Sequence, residues 1–174
     1  MSNLKLLLTV TVFAFFFTSC TEDADPSKDS LIIGTWTMTH SEASSLTTTN
    51  SEDYSSSIEN VSTYENIDIT AEFKEDGTLT SKGTADISTV MYFDASDSLV
   101  FGSPNTAIYQ VAKWSIDGTE LLLTETGENT QTLPFEIVSL TDNELIMTSH
   151  ITQEVSQSGT SRTTEITARV EYKR

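Results

Sequence analysis

The chain has 174 residues, of which 26 are acidic and 9 basic, giving a net charge of −17 at neutral pH. Such a surface repels nucleic-acid phosphates and anionic lipid headgroups, which excludes nucleic-acid binding as a function class. The length suits one ordinary domain, and a single cysteine excludes an intrachain disulfide, so stability must come from packing.

Residues 1–5 carry a positive charge at Lys5, and residues 6–17 are apolar except for Thr9 and Thr11. Thr18 and Ser19 supply small residues just before Cys20. This order of charge, short apolar core and small residues is that of a signal peptide, and the core is too short to span a bilayer of about 30 Å comfortably. Residues 1–19 are therefore expected to be removed. Cys20 at the cut is expected to receive acyl chains and anchor the product to a membrane, stably if more than one chain is attached. Residues 20–30 follow as the lipidated cysteine and a polar, acidic tether with Glu22, Asp23, Asp25 and Pro26.

From residue 31 the pattern is alternation rather than helical spacing. Residues 31–40 place Ile32, Gly34, Trp36 and Met38 on one face, as a first strand. Residues 41–62 are rich in Ser and Thr, with scattered Leu46, Tyr54 and Ile58, and read as a loop or lid over a barrel mouth. Residues 63–73 alternate again, with Ile67, Ile69, Ala71 and Phe73 in phase. Asp76-Gly77 turns the chain into a strand over 78–93, bent at Gly83. Residues 94–105, with Gly102 and Pro104, read as a second loop. A strand over 106–116 holds Ile108, Ala112, Trp114 and Ile116 in phase. Turns at Asp117-Gly118, 127–129, Asp142-Asn143 and Ser158-Gly159 separate strands at 121–124, 130–140, 144–154 and 160–173. In the last, Ile166, Ala168, Val170 and Tyr172 face one way, and Thr167, Arg169, Glu171 and Lys173 the other.

Short connections make neighbouring strands antiparallel, and no crossover helix is available for a parallel sheet. Eight such strands leave two exposed edges unless the sheet closes. The expected fold is all-β, an eight-stranded antiparallel up-and-down barrel over residues 31–174; a two-sheet β-sandwich is the alternative.

Ile33-Gly34-Thr35-Trp36, Phe73-Lys74-Glu75-Asp76-Gly77-Thr78, Tyr109 to Ile116 followed by Asp117-Gly118-Thr119-Glu120-Leu121, and the stretch 137–140 leading into Asn143-Glu144-Leu145 resemble the lipocalin-like lipoproteins of Gram-negative bacteria, with a calycin-type barrel. The segment ending at Cys20 likewise resembles a lipobox, with Phe17 where Leu is usual. The resemblance implies that Trp36 packs across the closed end of the barrel, with a basic side chain from a late strand against it. Arg169 is the candidate, although alternation turns it outward. The acids after Cys20 resemble a signal for display on the cell surface. The chain lacks the Thr-Asp-Tyr segment, the disulfide and the helix of true lipocalins, so no specific lipocalin ligand is implied.

An eight-stranded barrel either fills with side chains or holds one small ligand. The inward set expected to line such a cavity is Ile67, Ile69, Ala71, Phe73, Ile108, Ala112, Trp114, Phe135, Ile137, Met147, Ala168, Val170 and Tyr172, with Ala71, Ala85, Ala112 and Ala168 making room. The alternative is a dry core in which small residues offset large neighbours. His40 and His150 are the only histidines and show no metal-ligand spacing, so no metal or cofactor is expected. No nucleophile–base motif or phosphate loop is present, and the chain is not expected to be an enzyme. Asp29-Ser30-Leu31 and Asp97-Ser98-Leu99 resemble bacterial O-glycosylation sequons, and Asn60-Val61-Ser62 fits an N-glycosylation acceptor. The expected function is non-catalytic binding of a small apolar or amphipathic ligand by an outer-membrane lipoprotein, on its periplasmic face or at the cell surface. The alternative is a surface scaffold whose loops bind an envelope protein or a glycan.

Overall fold

A computed structural model describes residues 27–93, 97–127 and 130–174. The expected leader, acylated Cys20 and the tether through residue 26 lie outside the described residues. The chain enters through a helical turn, α1 (Lys28–Ile32), capped by Ser27, whose hydroxyl accepts from the Ser30 amide at 3.3 Å. Eight strands follow: β1 (Gly34–Asn50), β2 (Ser55–Phe73), β3 (Thr78–Phe93), β4 (Asp97–Asp117), β5 (Glu120–Glu125), β6 (Thr132–Leu140), β7 (Glu144–Gln157) and β8 (Thr160–Lys173). Each pairs antiparallel with the next and β8 closes onto β1, so the sheet is a shut up-and-down barrel and not a sandwich.

Three expectations are corrected. Residues 31–32 belong to α1 and the first strand starts at Gly34. The expected lid at 41–62 is strand: β1 runs to Asn50 and β2 resumes at Ser55 after a short turn. The expected loop at 94–105 is largely β4, which begins at Asp97. Apolar alternation fails over 41–62 because hydroxyls take its place. Ser44 bonds Thr167 at 2.7 Å, Thr47 bonds Thr164 at 3.2 Å, Ser62 bonds Thr89 at 2.9 Å, and Asn60 donates to Ser45 at 3.3 Å. β-Branched Thr suits the pleat, and cross-strand hydroxyl pairs hold a sheet that has little apolar surface to bury.

Paired residues point to the same face of the sheet, so the register separates inside from outside. Trp36 pairs with Ala71, Phe73 with Leu79, Leu79 with Ala112, and Leu145 with Tyr172. With Ile32, Leu121, Ile137 and Met147, these make one buried cluster inside the closed end. Phe73 meets Trp114 edge to face at 5.9 Å between ring centres. The outward positions carry Glu72, Lys82, Glu120, Glu136, Arg169 and Glu171, so the outer wall belongs in water. Among the described residues, no helix is long and apolar enough to cross a membrane.

β5 and β6 are short. β5 pairs with residues 112–117 of β4, and β6 with residues 145–148 of β7. Beyond that level the wall continues as six strands in the order β4-β3-β2-β1-β8-β7. Register shifts interrupt β2 between Glu65 and Asp68, and the β3–β4 pairing between Ala85 and Ile87. One carboxylate ties the two irregularities together. Asp86 accepts from the Asn66 side chain and from the Asn105 amide, each at 2.6 Å, and these two asparagines have positive φ. Gly83 permits the close approach: a Cβ there would lie 1.9 Å from the Asp68 carbonyl oxygen.

Candidate functional site

The closed end is built first, because it decides where a ligand has no room. Trp36 is fully buried and donates its indole N–H to the Ile32 carbonyl at 2.7 Å. The Arg174 guanidinium lies over the Trp36 ring, 4.1 Å from its centre. The same guanidinium donates to the Leu31 carbonyl at 2.8 Å, to the Ile33 carbonyl and to the Asp142 carbonyl at 3.3 Å. It therefore clips α1 and the β6–β7 turn across the end of the barrel. Gly34 stands directly beneath: a Cβ there would sit 3.1 Å from Arg174 Nη2, and its φ of 127° is one that side chains rarely adopt.

The tryptophan behaves as the resemblance implied, but its basic partner is Arg174 and not Arg169. Arg169 sits on the outer wall, two charge-assisted bonds of 2.8 Å tying its Nε and Nη2 to Glu171 Oε1. Parity carried the signal: Arg174 lies two residues beyond inward-facing Tyr172, whereas Arg169 lies an odd step away.

The structure gathers most of the expected inward residues into one core. Ile69, Ala71, Phe73, Ala112, Ile137, Met147 and Tyr172 are buried, and Trp114, Phe135 and Val170 pack against them half-buried. Ile67, Ile108 and Ala168 are half-buried, the last two at inward register positions and Ile67 within the β2 irregularity. Ala71, Ala85 and Ala112 are each no more than 1 % exposed, so at these positions the small residues are closed over by neighbours. Burial, and secondarily the facing Tyr64 hydroxyl, push the Tyr172 phenol well above its ordinary range.

Above this core the inner face is mixed: Asn60, Ser62 and Thr89 stand among the apolar positions of β2 and β3, and Ile151, Val155 and Ile166 among the polar positions of β7 and β8. β2, β3 and β4 present Ile58, Tyr64, Ile87, Met91, Phe93, Leu99 and Phe101 at inward positions. β1, β8 and β7 present Ser45, Thr47, Thr49, Thr164 and Gln153 on the same face. Leu99 and Phe101 are about half exposed, at 52 % and 51 %.

A concavity of about 670 Å³ lies on the opposite, outer face. Its sides follow one cross-strand ladder from Glu120 through Glu136, Thr148 and Arg169 to Glu42, and a second from His150 through Thr167 and Ser44 to Val61. Val61 and Pro134 contribute apolar surface; Ala43, Ser149 and Ala168 border the cleft from inward register positions, and Ser149 is buried with its hydroxyl donating to the Pro134 carbonyl at 2.7 Å. Of the residues expected to line a cavity, Ala168 borders this cleft. Sequence reading did not find it, because it forms where the outer faces of five neighbouring strands and Glu120 of β5 meet at different heights. His150 lies in the cleft and His40 sits 3.6 Å from Glu42 beside it. Among the described residues, no group of three or more His, Cys, Asp or Glu is arranged to hold a metal ion. Comparison with protein-family models, curated proteins and solved structures finds no match to this chain.

Proposed function

We propose that this chain is a calycin-like, non-catalytic binding protein of the Gram-negative cell envelope. Acyl chains on Cys20 hold it to the outer membrane, and it takes an amphipathic small molecule at the open end of its barrel. One observation carries the reading: above a sealed, packed end, the inner face carries large apolar side chains on β2–β4 beside the hydroxyl-bearing inward positions of β1. A molecule with an apolar chain and a polar head would bury its chain against Met91, Phe93 and Phe101. Its head would lie near Ser45, Thr47 and Thr164. Apolar burial of about 25 cal/mol per Å² supplies the affinity, and the hydroxyls orient the molecule.

The test is saturable binding of a single-chain amphipathic fluorophore, followed by emission shift and by native mass spectrometry. One-to-one binding that weakens at least about tenfold in Met91→Asp and in Phe101→Asp, but not in Glu136→Gln, supports the reading. Binding that ignores both inner-face variants overturns it. Anchoring is tested separately: the exported protein should carry acyl mass at Cys20 and lose its membrane fraction in Cys20→Ala.

A second reading rests on the outer-wall cleft, whose volume falls in the range of small-molecule sites. Its carboxylates and hydroxyls would accept and donate to a polyhydroxylated ligand, such as a surface glycan. Calorimetry against an oligosaccharide panel separates the two, since Thr148→Val and Glu136→Ala should then abolish binding while Phe101→Asp leaves it intact.

A further inference from the structure

The barrel wall leaves a long strand edge uncovered. β5 engages β4 at residues 112–117, and among the described residues the stretch 97–110 pairs on its other side alone, with β3. Free edges of this kind are templates for strand addition, and proteins usually blunt them with lysine, bulges or cover. Here the bulge at Pro104-Asn105 blunts one end, but the stretch before it, Asp97-Ser98-Leu99-Val100-Phe101-Gly102-Ser103, is flat strand. Leu99, Val100 and Phe101 are 52 %, 69 % and 51 % exposed. In a chain of net charge −17, this edge holds one charged residue.

We infer that this edge of β4 pairs with the same edge of a second copy, antiparallel about a two-fold axis through Val100. In that register the sequence is self-complementary. Val100 faces Val100 of the partner subunit, Leu99 faces Phe101 of the partner subunit, and Ser98 faces Gly102 of the partner subunit. Asp97 meets Ser103 of the partner subunit, so no two like charges oppose each other. Such a pair is isologous and closes as a dimer without growing into a fibre. It joins two six-stranded walls into one continuous sheet and covers the most exposed apolar stretch of the molecule. Local neutrality selects the occupant: an acidic molecule meets its own copy most easily where neither carries charge. The inference does not rest on the ligand reading, because Val100 points to the outer face, away from Met91 and Phe101.

The test is sedimentation velocity of the purified protein over a concentration series, with cysteine cross-linking in a Cys20→Ser background. The protein should dimerise, and Val100→Lys should weaken dimerisation at least about tenfold by opposing two ammonium groups across the axis. Val100→Cys should form a disulfide dimer on mild oxidation, since facing Cα atoms in an antiparallel pair lie about 4.5–5.5 Å apart. Ser98→Cys or Gly102→Cys alone should not, whereas a mixture of the two should; an added Cβ at Gly102 meets nothing within 4 Å. The changes at Ser98, Val100 and Gly102 sit at exposed positions, and circular dichroism checks that each variant is folded. A protein that stays monomeric throughout overturns the inference, as does a dimer whose Val100→Cys variant does not cross-link.

Discussion

Replacing Arg174 by alanine removes the clip that seals the barrel. The guanidinium makes a short bond to each of Leu31 and Ile33, a longer one to Asp142, and lies over Trp36. Taking the two short charge-assisted bonds at about 1 kcal/mol each, since the site is solvent-accessible, and the ring contact at about 1 kcal/mol, the loss is about 2–3 kcal/mol. For a domain of this size that lowers the melting temperature by roughly 5–10 °C. Arg174→Lys should recover less than half, because one ammonium cannot reach three carbonyls while lying flat on the indole. The assay is equilibrium urea unfolding followed by tryptophan fluorescence, with the midpoint moving and the slope staying constant. An Arg174→Ala protein within about 0.5 kcal/mol of wild type, or a lysine variant indistinguishable from it, would refute the argument that the forked geometry holds the end shut.

Gly83→Ala should destabilise by at least about 2 kcal/mol, because its Cβ would overlap the Asp68 carbonyl and the backbone of β2 must shift; denaturant midpoints check this. The bonds from Asn105 and Asn66 hold the Asp86 carboxyl below its ordinary value. Its contribution is therefore in place above about pH 4 and is lost as pH falls through the lower folded value. Asp86→Asn should flatten the fall of stability between about pH 4 and 2, read from urea midpoints in that window. At the other end of the scale, burial first and Tyr64 second raise the Tyr172 phenol. The folded state then loses ground as pH climbs past about 10, where the unfolded phenol ionises. Tyr172→Phe should move the alkaline unfolding midpoint upward, and an unchanged midpoint would show that other groups control it.

The turns at Asp76-Gly77, Asp117-Gly118 and Ser158-Gly159 were legible as sequence, because positive φ favours a few residue types, and all three fall between strands. The inward set was legible for the same kind of reason: period two fixes which residues share a face once a strand is granted. Residues 41–62 read as loop because Ser and Thr signal loop in composition, yet they form sheet because their hydroxyls find partners on the next strand. Arg174 fills the role for which Arg169 is the sequence candidate, since residue type and approximate position do not reveal which cation lies on the inner face.

Local chemistry alone dictated the strand count, the tight Asp-Gly and Ser-Gly turns and most of the core, because those depend on each residue's backbone preference and on alternation along one chain. Only the tertiary structure decided how far each strand extends beyond its neighbours. That unevenness comes from pairing between distant segments. It shortens β5 and β6 relative to the six-stranded wall, hollows the outer cleft, and leaves the edge of β4 without a partner strand.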